Sequence, residues 1–173
     1  MKTILCIDPG KVNMGYGIIQ YNNNKYRIVR RGKIKNTIQD LKAYNLKETV
    51  LKFNQEIEDM IDTYNVTEVT MERFVSRGIR GSLSEYICIM QGILAINPKI
   101  TAFNLVTAAT WKNTFNKAYS LKDLYKQARK LKLEDHEIDA VMIGLYYLGK
   151  GQFFAKLSKA SAREKILKRL ISI

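Results

Sequence analysis

The apolar positions near the start of the chain are spaced as in β-strands. Residues 3–7 form a short apolar run that stops at Asp8-Pro9-Gly10, a sequence typical of a turn. Two more strand-like runs, 16–21 and 25–34, are separated by asparagines, which tolerate the backbone conformations of a tight hairpin. This pattern predicts a central strand followed by a hairpin.

Beyond residue 40 the apolar residues recur at the spacing of a helix face. They predict helices over about 41–64, 82–96, 121–132 and 136–149, and a basic amphipathic segment over about 153–170. Apolar runs at 66–71 and 100–106 predict two more strands. The order predicts an α/β fold with a five-stranded mixed sheet, its first three strands antiparallel and the later ones parallel, flanked by helices on both faces.

Composition adds a strong positive charge to this picture. The 173 residues suit one domain over 1–150, with 151–173 as a basic helical C-terminal extension that packs on it or continues it. Lys and Arg number 29 against 16 Asp and Glu, a formal net charge of +13. Such a charge predicts an acidic partner, of which nucleic acid is the commonest.

The cysteines and the hydropathy pattern exclude several classes of protein. Cys6 and Cys88 lie in apolar runs and form no metal-binding pattern, so we expect both to be reduced thiols in the core of a cytoplasmic protein. No apolar run approaches the roughly 20 residues of a membrane span. We therefore expect neither a secreted, disulfide-stapled or zinc-finger protein nor a membrane partner.

Acidic residues stand where such a fold places catalytic groups. Asp8 ends the first strand, Glu72 ends the fourth, and Asp139 lies one helical turn after His136, the only histidine. Functional sites lie at the carboxyl ends of the strands in open α/β sheets, and residues three apart share a helix face. Clustered carboxylates need a cation or a proton between them, and Mg²⁺ prefers carboxylate oxygens. Together the acids predict a divalent-metal site suited to phosphodiester cleavage.

Three sets of residues resemble the RuvC family of Holliday junction resolvases. The segments IDPG (7–10) and GYGII (15–19) are similar to the family's first strand, turn and second strand. VTMERF (69–74) is similar to its fourth strand, and HEIDA (136–140) to its last helix. The resemblance covers about 1–149 and implies an RNase H-like fold, a homodimer, Mg²⁺ or Mn²⁺, and paired symmetric nicks across a four-way DNA junction.

The resemblance also implies a catalytic and metal-binding set, carried over residue by residue: Asp8, Glu72, His136 and Asp139. His136 stands where many members have Asp, and the neighbouring Asp135 competes with it for the same role. The three-residue spacing favours His136. A neutral imidazole suits Mn²⁺ better than Mg²⁺, so Mn²⁺ is expected to substitute and to be preferred at this position.

Candidate DNA contacts follow Glu72 and continue in the later helices. They are Arg73, Phe74, Arg77, Arg80, Lys112 and Lys122, with Lys117 and Lys126 as further positive charge. Arginines among glycines suit phosphate contact, and Phe74 or Ile79 could wedge into an opened junction. The alternative is a solvated loop whose apolar residues turn inward. Trp111 is expected in the core rather than stacked on a base.

Two other segments have more than one explanation. The helix over about 82–96 is apolar on more than one face, since Cys88 and Ile89 lie off its main stripe. One side is expected to cover the sheet and the other to meet a partner subunit, with full burial inside the chain as the alternative. The basic C-terminal segment can lie on DNA or serve packing and solubility.

Other classes of protein stay open from the sequence alone. Taken singly, Asp8 fits an ordinary turn, Glu72 an ion pair with Arg73, and His136 a structural histidine. A related nuclease could act on RNA–DNA hybrids or process RNA. ATP-binding proteins of the actin and sugar-kinase type also carry Asp and Gly after a first strand, but usually need two such domains. A non-catalytic DNA-binding protein would not need three converging acids.

Overall fold

A computed structural model describes residues 1–10, 12–22, 25–35, 45–74, 82–118, 120–149 and 159–171. Its strands are β1 (Lys2–Asp8), β2 (Asn13–Asn22), β3 (Lys25–Lys35), β4 (Glu68–Arg73) and β5 (Ala102–Thr107). They form one sheet in the order β3-β2-β1-β4-β5. The pairs β1–β2 and β2–β3 are antiparallel, whereas β1–β4 and β4–β5 are parallel, so the predicted mixed sheet is confirmed.

The described helices are α1 (Leu46–Tyr64), α2 (Ser82–Ile96), α3 (Ala108–Ala118), α4 (Leu121–Lys130), α5 (Asp135–Tyr147) and α6 (Lys159–Ile171). Residues 41–44, where the first helix was expected to begin, lie outside the described residues. The sequence pattern did not predict α3. Its 11 residues carry only two large apolar side chains at helical spacing, Trp111 and Phe115, which is a short signal.

Apolar layers cover both faces of the sheet. One layer joins the sheet to α3, α4, α5 and α6, and the other joins it to α1 and α2. Neighbouring residues of β1 enter opposite layers, because successive side chains of a strand point to opposite faces. Cys6 packs in the first layer and Ile7 in the second. The prediction of helices on both faces is therefore confirmed.

Helix α5 lies directly against the central strands because glycines leave room for it. A Cβ added to Gly17 on β2 would lie 2.9 Å from Val141 Cγ2, and one added to Gly144 would lie 2.2 Å from Cys6 Sγ. The helix is buried from Ala140 to Leu145. This close approach fixes α5, which carries His136 and Asp139, against β1 and β2.

Helix α6 packs on the same face of the sheet. Ile166, Leu167 and Leu170 are buried in the first apolar layer. Arg31 on β3 donates a hydrogen bond from Nε to the carbonyl oxygen of Leu170 at 2.9 Å. One face of the basic C-terminal segment is therefore part of the core.

The outer face of α2 departs from one prediction. Cys6 is buried, as expected, but Cys88 is exposed, so the prediction that both are core thiols is wrong for Cys88. Tyr86 and Met90 face the sheet, whereas Cys88 and Ile89 lie on the outer side of the same helix. Full burial of α2 within the chain is likewise wrong. No helix in the described part of the chain has the length and apolar character of a membrane span.

Candidate active site

Asp8 and Glu72 stand next to each other at the carboxyl ends of two parallel strands. The register of β1 and β4 pairs Ile7 with Met71, which brings the next residue of each strand to the same edge of the sheet. Both side chains point to the face that α5 covers, because they alternate with Ile7 and Met71 of the opposite layer. Asp8 is only 7% exposed.

Helix α5 brings its first turn to this edge. His136 Nδ1 lies 2.7 Å from Asp8 Oδ2, within hydrogen-bond distance. Asp139, one turn later, is largely buried and accepts a hydrogen bond from the Tyr125 hydroxyl on α4. The structure thus brings all four predicted site residues to one edge of the sheet, and each already has a protein partner.

Helix α3 supplies partners for two of the acids from adjacent positions. The indole Nε1 of Trp111 donates a hydrogen bond to Glu72 Oε2 at 2.8 Å. The Lys112 ammonium lies 3.3 Å from Asp139 Oδ2 and 4.8 Å from the centre of the Trp111 ring. The prediction that Trp111 is a core residue is confirmed, since it is fully buried.

Burial and mutual repulsion make these carboxylates harder to ionise. Burial raises the pKa of Glu72, and the negative charges of Asp8 and Asp139 raise it further against the opposing effects of Trp111 and Lys112. Burial likewise raises the pKa of Asp139, with Tyr125 and Lys112 opposing the shift. The site therefore concentrates negative charge in a poorly hydrated place, which a cation would stabilise.

The hydrogen bond to Asp8 raises the pKa of His136, and burial partly opposes this effect. Neighbouring Asp135 is engaged elsewhere. Arg129 on α4 donates to both carboxylate oxygens of Asp135, from Nε at 3.0 Å and from its Nη2. Of the two candidates for the fourth ligand, His136 is the one in contact with Asp8.

The chemistry of this donor set fits a divalent cation, since it offers buried or half-buried carboxylate oxygens and an exposed imidazole that contacts one of them. Within the described ranges, however, no three His, Cys, Asp or Glu side chains converge closely enough to hold an ion. Each of the four is turned toward a protein partner instead. Release of Lys112 from Asp139 Oδ2 and of His136 from Asp8 Oδ2 would free donor atoms for a metal.

The candidate DNA contacts are placed less completely. Arg73 is exposed at the end of β4, and Lys122 and Lys126 are exposed on α4. Phe74 is half-buried against the apolar layer of α1 and α2, which agrees with the alternative that this residue turns inward rather than toward DNA. Arg77, Ile79 and Arg80 lie outside the described residues, as does the side chain of Lys117.

Sequence reasoning missed two residues of this site, the hydrogen-bond donors Trp111 and Tyr125. A buried indole N–H needs an acceptor, so a single tryptophan expected in the core indicated that some acceptor lies near it. Nothing in the sequence pointed to Glu72 as that acceptor, or to Tyr125 as a partner of Asp139.

The sheet order, the helices on both faces and the acids at the carboxyl edge define an RNase H-like fold. Solved structures support this class. "T. thermophilus RuvC in complex with Holliday junction substrate" is 18% identical with a TM-score of 0.60, covering 83% of this chain and 90% of that chain. A complex of Fowlpox virus resolvase with substrate Holliday junction DNA is 17% identical with a TM-score of 0.52, covering 85% and 99%.

The family follows from the sequence match. The sequence model of the protein family "Crossover junction endodeoxyribonuclease RuvC" matches residues 4–114, and the chain belongs to this family. The RuvC of Alkaliphilus metalliredigens is 35% identical over 69 residues, 40% of each chain. The matched part spans less than half the length of such curated relatives. The family match includes Asp8 and Glu72, whereas His136 and Asp139 lie beyond it.

Proposed function

We propose that this protein is a metal-dependent endonuclease that resolves four-way DNA junctions by paired symmetric nicks. One observation carries the proposal: in a chain of the RuvC family, Asp8, Glu72, His136 and Asp139 meet at the carboxyl edge of the sheet. The similar structure from T. thermophilus is described as a complex with Holliday junction substrate. A basic protein with acidic side chains gathered at one edge of its sheet matches that kind of substrate.

These four side chains are the proposed ligands of Mg²⁺, with Mn²⁺ able to substitute. Bound divalent ions would activate water and stabilise charge on the phosphate. Asp8 lies between Glu72 on one side and α5 on the other, so it is the proposed shared ligand. Glu72 would serve one ion and Asp139 the other, while His136 would bind the second ion or pass a proton.

Positive charge next to the acids would hold the DNA. Arg73 follows Glu72 directly, and Lys112 reaches Asp139 from α3, so both can meet a phosphate at the cleavage site. Lys122 extends the positive surface along α4, and Arg77 and Arg80 remain proposed contacts. The net charge of +13 would make junction affinity fall steeply with salt.

A homodimer would supply the two active sites that symmetric nicks require. The outer side of α2 offers the surface for it. Cys88, Ile89, Gly92 and Ile96 recur at steps of one, three and four along this helix and are all exposed, Ile96 by 82%. An apolar stripe on an otherwise charged protein is typical of a protein interface. We propose that two copies meet through this face of α2.

The test is cleavage of a synthetic four-way junction, mapped at nucleotide resolution with and without Mg²⁺. Plain duplex and an RNA–DNA hybrid are offered as competitors. We expect nicks at symmetric positions in two opposing strands, only with metal. Preferred cleavage of the hybrid would instead favour a nuclease of another specificity, and binding without metal-dependent cleavage would favour a non-catalytic DNA-binding protein.

Variants separate catalysis from binding. Asp8→Asn and Glu72→Gln should lose cleavage and keep junction binding in EDTA, because the basic surface is untouched. Asp59→Asn, which changes an exposed carboxylate on α1, is the matched control and should cleave normally. Near wild-type nicking by Asp8→Asn in Mg²⁺ would contradict the proposed metal site.

A further inference from the structure

Two of the proposed metal ligands accept hydrogen bonds from aromatic side chains of neighbouring helices. Trp111 on α3 donates to Glu72 Oε2, and Tyr125 on α4 donates to Asp139 Oδ1. Each aromatic residue contacts one oxygen of one carboxylate. These contacts are made by the core of the protein rather than by solvent or by another acid.

Trp111 has little freedom to move away from Glu72. Its side chain is fully buried, and its ring packs edge-on against Phe115 with the ring centroids 6.4 Å apart. A buried indole N–H without an acceptor would carry a desolvation penalty, and Glu72 is the acceptor present. The hydrogen bond therefore holds Oε2 toward α3 and leaves Oε1 for another partner.

Tyr125 performs the same task on Asp139. Its hydroxyl takes Oδ1, which leaves Oδ2 facing the Lys112 ammonium at 3.3 Å. Lys112 is 40% exposed at its side chain and rests on the Trp111 ring, so its ion pair is the contact that solvent or a ligand can displace. Asp139 thus has one fixed oxygen and one exchangeable oxygen.

We infer that Trp111 and Tyr125 are positioning residues that select which carboxylate oxygen Glu72 and Asp139 present to the metal. This inference rests on the proposed metal-dependent function. By occupying Oε2 and Oδ1, the two donors leave one defined oxygen on each acid for the ion. Hydrogen bonds of this kind orient metal ligands, and their loss typically costs about 10–100-fold in metal affinity.

The test measures Mn²⁺ binding to the 173-residue chain without DNA, by the electron paramagnetic resonance signal of free Mn²⁺. Tyr125→Phe removes only a hydroxyl, and Trp111→Phe removes the indole N–H while keeping an aromatic ring. We expect each to weaken Mn²⁺ affinity by about 10-fold or more. The Mn²⁺ concentration for half-maximal junction cleavage should rise by the same factor.

Tyr21→Phe is the matched control. Tyr21 also donates to a buried carboxylate, Glu68, at 2.6 Å, but at the opposite edge of the sheet. Its loss should leave Mn²⁺ affinity unchanged. The midpoint temperature of thermal unfolding, measured for each variant without metal, shows separately whether the variant is folded. If Trp111→Phe does not fold, the Mn²⁺ affinity of Tyr125→Phe alone tests the inference.

The possible outcomes distinguish failure of this inference from failure of the proposed function on which it rests. Wild-type affinity for Mn²⁺ in Tyr125→Phe would overturn the inference while leaving the metal site intact. An equal loss of affinity in Tyr21→Phe would overturn it as well, because the effect would then come from general destabilisation. A wild-type protein that binds no Mn²⁺ would overturn the proposed metal site and the inference together.

Discussion

Gly15 on β2 lies directly beneath the backbone of His136 on α5: a Cβ added to Gly15 would sit 2.0 Å from the His136 carbonyl oxygen. The strand and the first turn of the helix therefore meet backbone to backbone. This contact fixes the separation of α5 from β2, and with it the position of His136, whose Nδ1 lies 2.7 Å from Asp8 Oδ2. A residue with no apparent chemistry thus controls the geometry of the candidate site.

Replacing Gly15 should damage the site by moving α5. Gly15→Ala forces the His136 backbone away and costs about 1–3 kcal/mol of stability, as overpacking usually does. A displacement of about 1 Å at a catalytic group can cost roughly 100-fold in rate, and we expect a loss of that order in junction cleavage. Gly17→Ala is the comparison, because its Cβ meets Val141 Cγ2 at 2.9 Å, a milder overlap at a residue farther along α5 from His136. Full cleavage by Gly15→Ala below its melting temperature would contradict this account.

The fourth ligand should be His136 rather than Asp135. His136→Ala should lose most cleavage and require more Mn²⁺, since His136 contacts Asp8. Asp135→Ala should stay active, because Asp135 is bound to Arg129. His136→Asp should keep activity and shift the preference toward Mg²⁺, which favours oxygen ligands. Both metals are titrated against each variant, and activity in His136→Ala with none in Asp135→Ala would reverse the assignment.

A charge on the outer face of α2 should separate the proposed dimer. Ile89 is 39% exposed there, and Ile89→Asp places an unpaired carboxylate in the apolar stripe. We expect light scattering to report a mass near 40 kDa for the wild type, twice the 20.0 kDa chain, and a monomer for the variant. Leu51→Asp is the control, since Leu51 is 55% exposed on α1. A dimer that survives Ile89→Asp unchanged would place the interface elsewhere.

Helix α6 should contribute to stability rather than to the salt dependence of DNA binding. Leu170 is fully buried, so Leu170→Ala should lower the free energy of unfolding by about 2–5 kcal/mol. Urea denaturation measures this loss. The slope of junction affinity against salt concentration should not change, because no charge is removed. Lys165→Gln and Lys168→Gln, at exposed positions of α6, test the basic segment itself, because deletion of residues 153–173 would also remove the buried side chains of the helix. A lower salt slope would assign the segment to DNA.

Glu68 should make stability depend on pH in the acid range. Burial raises the pKa of this carboxylate, but hydrogen bonds from Lys2, Tyr21 and Tyr147 outweigh that effect and hold the pKa below its usual range. A lowered pKa in the folded state contributes stability above the unfolded-state pKa, and this contribution is lost as pH falls through the folded-state pKa.

Glu68→Gln removes that contribution. Its stability in urea should therefore be lower than that of the wild type at pH 7, and the difference should shrink as pH falls below the unfolded-state pKa of glutamate, about 4.3. Glu56→Gln, at an exposed position on α1, is the control and should follow the wild type. An equal difference between Glu68→Gln and the wild type at every pH would contradict the assignment.

The sequence was sufficient to predict features that depend on local patterns. Short apolar runs predict the strands, helical spacing predicts α1, α2 and α5, and a carboxylate at the end of an apolar run predicts Asp8 at the edge of the sheet. Pairs distant in sequence were not predictable. The hydrogen bond between Trp111 and Glu72 joins residues 39 apart and depends on how α3 docks. The exposure of Cys88 depends on which side of α2 packs on the sheet. Because α2 is apolar on more than one face, the spacing of its apolar residues does not decide that.

The contact between Asp8 and His136 joins residues 128 positions apart, and it has a consequence for synthesis of the protein. Translation delivers Asp8 and Glu72 long before α5, so a nascent chain carries its strands and its basic charge without half of the proposed ligands. Interrupted products that stop before residue 135 share this defect. On the proposed function, cleavage therefore becomes possible only after α5 has been synthesised and has packed on β1 and β2.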